Sequence, residues 1–133
     1  MNRWSPYIAV GLGSALGSLL RYLVSLISLA ALGAFFPWGT LLVNLVGSWL
    51  IAWLSILGGQ HAHGRVARWQ PFLIAGFCGG FTTFSLFSLE TLHLLTLGYP
   101  WWALAYICIS LPLWLIAAWH GQKVAKRRLA KKH

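Results

Sequence analysis

Acidic residues are all but missing: Glu90 is the single Asp or Glu among 133 residues, against ten Lys and Arg, and charged residues of both signs make up only 8%. A soluble domain of this length is excluded, because it would lack the polar surface to meet water. Cysteine is scarce as well, and Cys78 and Cys108 both fall inside apolar stretches, where packing thiols are expected rather than a disulfide framework. Strict apolar/polar alternation is absent, which argues against an outer-membrane barrel. No nucleophile and base pair stands out, and His61 and His63 in "GQHAHGR" are too few ligands for a specific metal site, so enzymatic chemistry finds no support.

What is abundant is apolar surface. The chain is 59% hydrophobic with nine Trp and a mean hydropathy of +0.72. Cutting at charges, prolines and glycine-rich joints leaves helices near 7–36, 39–57, 69–97 and 101–119, then a basic tail, 120–133. Each can cross a hydrocarbon core of ~30 Å, which needs roughly 20 helical residues. The reading is one all-α integral membrane domain, 1–133, of four transmembrane helices. The first stretch contains Arg21, is too long for a signal-peptide core and lacks a cleavage site, so it is expected to remain as the first helix.

The charges are distributed unevenly. Arg3, Arg65 and Arg68, and the tail residues Lys123, Lys126, Arg127, Arg128, Lys131 and Lys132 all fall on one side of a four-helix chain. The opposite loops, "GAFFPWG" and "TLGYPWW", carry no Lys or Arg, so both termini are expected in the cytoplasm of a multi-pass inner or plasma membrane protein. The tail "KVAKRRLAKK" then rests on anionic headgroups of the lipid bilayer. A nucleic-acid partner is not expected despite the net charge of +9, since no recognition fold remains outside the spans.

Polar groups inside a bilayer are costly, and each is a functional candidate. Helix one carries Gly13, Gly17, Ser14 and Ser18 on a small-residue face that serves close packing or lines a pore. Arg21 follows, and a guanidinium there needs an anion, carbonyls or a wet vestibule. Asn44 is the lone carboxamide of helix two and is either interhelical glue or part of a polar path. Helix three contains "GFCGGFTTFSLFSLE". Its Gly76, Gly79 and Gly80 predict a helix broken at its midpoint, where freed backbone groups bind partners or ions. Beyond lie Thr82, Thr83 and Ser85, with Phe84 and Phe87 at i and i+3. Such a pair is core packing or a pore wall whose positive ring edges meet an anion.

"GxxxGSLLRY", "GTLLVNLVGS" and "GFCGGFTTFSLFSLE" together resemble the CrcB-type, or Fluc, fluoride channels, small four-helix proteins that work as antiparallel, dual-topology dimers. The resemblance implies passive export of fluoride from the cytoplasm, through two pores per dimer around one structural sodium ion. It places Phe84, Phe87 and Asn44 on the fluoride path, the carbonyls of Gly79 and Thr82 on sodium, Arg21 near the vestibule, and Tyr106 and Ser110 on a polar track of the fourth helix. The chemistry agrees: fluoride is strongly hydrated, and the Asn44 amide with the hydroxyls of Ser85, Thr83 or Ser110 can replace its water. Backbone carbonyls suit a hard cation.

Two features depart from the family pattern. One turn beyond Ser110, where a small polar residue is expected, stands Trp114, a bulk that shortens or redirects the track. The one-sided charge also opposes insertion in both orientations, which leaves a homodimer or an antiparallel heterodimer with a related chain of reverse bias. Glu90 and His93 are expected to serve a vestibule or an interhelical hydrogen bond. A non-conducting packing subunit and a small proton-coupled multidrug exporter are the rival readings.

Overall fold

Four helical runs long and apolar enough to cross a membrane make up nearly all of the chain: Ser5–Leu32, Trp38–Gln60, Arg65–Thr96 and Pro100–Ala130. The computed structural model describes residues 5–60 and 63–131, so Arg3, His61 and Lys132 lie outside the described residues. Helix α1 (Ser5–Leu32) stops short of Phe36 because Gly33 turns left-handed, at φ +84°, while its N–H still reaches the Leu29 carbonyl at 3.1 Å. Pro37 then opens α2 (Trp38–Gln60).

The third run has several segments: α3 (Arg65–Gln70), a π-helical segment (Pro71–Cys78), α4 (Gly79–Phe81) and α5 (Ser85–Thr96). Pro71 has no N–H to donate and crowds the turn before it, and the chain answers with a wider turn. Its end is marked by the Gly79 N–H, which reaches back to the Ile74 carbonyl. At the other end, α5 closes in a Schellman motif: Tyr99 N–H donates to Leu94 O at 2.9 Å and Gly98 N–H to Leu95 O at 3.1 Å, with Gly98 at φ +82°.

Helix α1 packs chiefly on the π-helical segment and α4, and α2 chiefly on α6 (Pro100–Ala130). The first contact is backbone against backbone. A Cβ on Gly13 would meet the Phe77 nitrogen at 2.8 Å, and one on Gly76 would meet the Val10 carbonyl at 2.7 Å. At that distance Ser14 and Ser18 each donate a hydroxyl to a carbonyl of the facing helix, Gly76 O and Gly80 O, both at 3.4 Å. The small-residue face of α1 is thus occupied by helix packing.

Helix α6 does not end near Trp119 but continues to Ala130, so most of the basic tail is helical. Ala117, Gly121 and Ala125 recur every four residues and are buried. Gly121 lets the helix lie directly on the Trp49 carbonyl, and the Trp49 indole N–H donates to His120 Nδ1 at 3.0 Å. The extension is therefore docked on the second half of α2. Lys123 stands over the Trp119 ring at 4.6 Å and Arg128 over the Trp53 ring at 5.7 Å.

Candidate functional site

The site forms where the third run is interrupted, at residues 82–84. Helix α4 ends at Phe81, Thr82 is extended at φ −86° and ψ 156°, and α5 begins at Ser85. Backbone groups released there need partners, since unpaired N–H and C=O groups are costly at membrane depth. Asn44 of α2 supplies them. Its Nδ2 donates to the Thr83 carbonyl and its Oδ1 accepts the Thr83 N–H, both at 2.8 Å and both buried.

This amide pair has a further effect on the helical ladder. In a continuous helix the Thr83 N–H would donate to the Gly79 carbonyl four residues back. With that N–H committed to Asn44, the Gly79 carbonyl loses its usual donor. The Leu86 N–H, whose helical acceptor would be Thr82 O, goes instead to Thr83 Oγ1 at 3.1 Å. Gly79 and Thr82, the two residues assigned to sodium by resemblance, are thus among those whose carbonyls lose their ladder donors. Two such carbonyls from one chain are hard oxygen donors of the kind sodium takes. Thr82 O also accepts a long contact from Arg21 Nη1, at 3.4 Å, which leaves its second lone pair.

The remaining candidates fall into two groups. Arg21, Ser18, Thr83 and Ser85 line one open cleft of about 480 Å³, with Thr83 Oγ1 and Ser85 Oγ 3.4 Å apart. Phe87, Tyr106 and Ser110 lie in the core on the other side. Phe84 and Phe87 touch, with ring centroids 5.4 Å apart and planes at 54°, yet Phe84 is 66% exposed and Phe87 only 4%. The pair therefore spans the boundary between the chain's core and its outer surface.

Tyr106 and Ser110 are wholly buried on α6. The Tyr106 hydroxyl donates to Glu90 Oε2 and the Thr40 hydroxyl to Glu90 Oε1, each at 2.7 Å. Glu90 thus ties α2, α5 and α6 together by interhelical hydrogen bonding, one of the two roles expected of it. His93 shares with Glu90 and Thr40 the lining of a second cavity, of about 520 Å³. The Ser110 hydroxyl is buried and has no hydrogen-bond partner among the described residues.

Two contributors escaped the sequence reading. Thr40 stands one turn before Asn44 on the same face of α2, a spacing that could have flagged it. Trp114 was read only as bulk, whereas its indole N–H donates to the Leu41 carbonyl at 3.3 Å and its ring meets Phe87 at 4.9 Å.

Among known proteins, the chain is 42% identical over 129 residues to fluoride-specific ion channel FluC 1 of Rhodopseudomonas palustris, covering 95% of this chain and 90% of that protein. It is 45% identical over 118 residues to fluoride-specific ion channel FluC of Rhodospirillum rubrum, covering 86% and 90%. To fluoride-specific ion channel FluC of Rhizobium meliloti it is 47% identical over 114 residues, again covering 86% and 90%. The family model described as CrcB-like protein, Camphor Resistance (CrcB), matches residues 8–122, a stretch that takes in most of each of the four spans and every residue of the site just described, and this chain of four helices long and apolar enough to cross a membrane belongs to that family.

Proposed function

We propose that this chain is the subunit of a fluoride-selective channel that lets fluoride leave the cytoplasm passively, reducing its toxicity, with no catalytic step. The observation that carries the reading is the Ser110 hydroxyl, buried and unpartnered on the α6 face whose neighbours one turn away, Tyr106 and Trp114, both touch Phe87. A stranded buried hydroxyl costs about 1–3 kcal/mol. A small anion passing along this face accepts a hydrogen bond from it and meets the positive edge of Phe87, which holds fluoride without trapping it. The names of the relatives, fluoride-specific ion channels, support the same ion.

The channel works in the inner or plasma membrane as an antiparallel, dual-topology dimer with two pores. The exposure of Phe84 beside the buried Phe87 supports a pore wall completed by a second subunit. The break at residues 82–84 then faces its counterpart, and the Gly79 and Thr82 carbonyls of both subunits would hold the sodium ion. When bound, sodium supplies a fixed positive charge between two anion paths. The partner is a second copy of this chain in preference to a related chain of reverse charge bias, since symmetric homodimers are the commonest closed assemblies. Arg21, in its cleft with Thr83 and Ser85, draws fluoride toward the vestibule.

An exporter of cations needs a carboxylate free to titrate and to meet its cargo. The only one here has both oxygens engaged, by Thr40 and Tyr106, which weighs against that rival. Proteoliposomes loaded with potassium fluoride or potassium chloride and given valinomycin test the proposal. Rapid fluoride efflux with chloride retained is expected. Equal rates for the two anions, or none for either, would defeat it.

A further inference from the structure

Trp114 lies two turns beyond Tyr106 on α6, with Ser110 between them, so the three share one stripe of the helix. All three are buried. Both aromatic residues set their rings edge-to-face against Phe87: Tyr106 at 4.8 Å and 62°, Trp114 at 4.9 Å and 73°. Each is also tethered at its polar end. The Tyr106 hydroxyl donates to Glu90 and the Trp114 indole N–H to the Leu41 carbonyl. Phe87 is therefore held between two rings that are themselves anchored, one through α5 and the other through α2.

An indole has a single N–H, and this one is committed to Leu41. It does not extend the line of donors beyond Ser110, as a hydroxyl in its place would. Simple obstruction does not require the anchor either, because a leucine or phenylalanine would fill space without reaching a carbonyl. What the anchored ring does supply is a fixed wall. A phenyl ring turns about one bond, and a quarter turn exchanges its positive edge for its negative face. The sign of the interaction between Phe87 and an anion thus depends on ring rotation, which Trp114 and Tyr106 restrict from two sides.

We infer that Trp114 is a positioning residue for anion selectivity: tied to Leu41, it locks the Phe87 ring with its edge toward the ion path. The inference rests on the fluoride-channel reading above. Its consequence is that loosening Trp114 lowers discrimination between fluoride and chloride as well as rate, an effect that lost packing alone would not produce.

The test uses full-length wild type, Trp114→Phe and Trp114→Leu in proteoliposomes, with fluoride and chloride efflux measured on the same preparations. Gel filtration and melting curves check each variant's fold. Trp114→Phe keeps a ring but loses the tether, and a two- to tenfold drop in the fluoride to chloride rate ratio is expected, roughly the range of one ring contact. Trp114→Leu removes the ring too and falls further in both rate and ratio. If Trp114→Leu does not fold, Trp114→Phe decides alone. Wild type that fails to conduct fluoride refutes the channel reading, not this one in particular. With wild type conducting, ratios within about twofold of it in the folded variants, or faster flux with selectivity intact in Trp114→Leu, overturn the positioning role; the latter would make the indole a plug.

Discussion

Asn44→Ala removes both ends of the carboxamide that holds the Thr83 peptide, and so separates two consequences that are joined in the native protein. The first is energetic. Two buried hydrogen bonds of 2.8 Å disappear, leaving the Thr83 N–H and C=O without partners. Interhelical hydrogen bonds in membrane proteins average only about 0.6 kcal/mol, but a buried group left with no alternative costs about 1–3 kcal/mol. With two such groups on one peptide, the variant is expected to lose about 2–4 kcal/mol. The second consequence is a route of escape. The freed Thr83 N–H can return to the Gly79 carbonyl, restoring one helical bond and closing an oxygen assigned to sodium. A variant that takes this route regains part of its stability and still fails to conduct. Unfolding by SDS titration in detergent micelles, read beside fluoride efflux from liposomes, measures both effects. Thr83→Ala is the control for stability, since it leaves the peptide pair in place and removes the hydroxyl that accepts from Leu86 together with a methyl group, at an expected cost of about 1–2 kcal/mol. Asn44→Ala with stability within about 0.5 kcal/mol of wild type and flux within twofold would refute the reasoning.

Phe84→Ile and Phe87→Ile roughly keep volume and remove the ring edge, so each is expected to slow fluoride efflux about two- to tenfold in a protein that still elutes normally; unchanged flux in both returns the pair to packing. Gly17→Ala places a methyl against the Phe77 carbonyl and the Phe81 nitrogen and should cost about 1–3 kcal/mol, whereas Gly11→Ala meets nothing within 4 Å and should be neutral, a contrast read from melting temperatures. Tyr106→Phe strands one oxygen of Glu90 and is expected to lose about 1.5–3 kcal/mol in the same unfolding assay. Orientation is tested with Leu97→Cys in a Cys108→Ser background, because Leu97 is exposed whereas the adjacent Gly98 needs a positive φ. Labelling of native membranes from both faces is the outcome that dual topology predicts, and purely external labelling contradicts it.

Hydropathy, charge and local punctuation carried the sequence reading a long way, because each acts residue by residue. Transfer energy marks about twenty apolar residues as a span wherever they occur, and four such runs are the four membrane-crossing helices. Gly33 and Gly98 end their helices through a backbone freedom that no neighbour has to supply. Boundaries were less legible where a neighbour decides them. Helix α6 outruns Trp119 because Gly121 packs on α2, a contact invisible in the basic tail taken by itself.

The site divides in the same way. The amino-acid pattern alone determined which residues are polar within the membrane and that Phe84 and Phe87 stand together; it set the interruption of the third helix at Gly76, Gly79 and Gly80, whereas these are helical and the interruption falls at residues 82–84. Only the tertiary structure decided how they are used. It turned both ends of Asn44 to one peptide, sent Phe84 outward and Phe87 inward although they are neighbours on one helix, and gathered Thr40 and Tyr106 from two other helices around Glu90, the chain's only acid. The physical reason is that a hydrogen bond between helices depends on their relative rotation and depth. Those are set by packing along the whole length of each helix, here by glycines that bring backbones into contact, and no short stretch of sequence contains them.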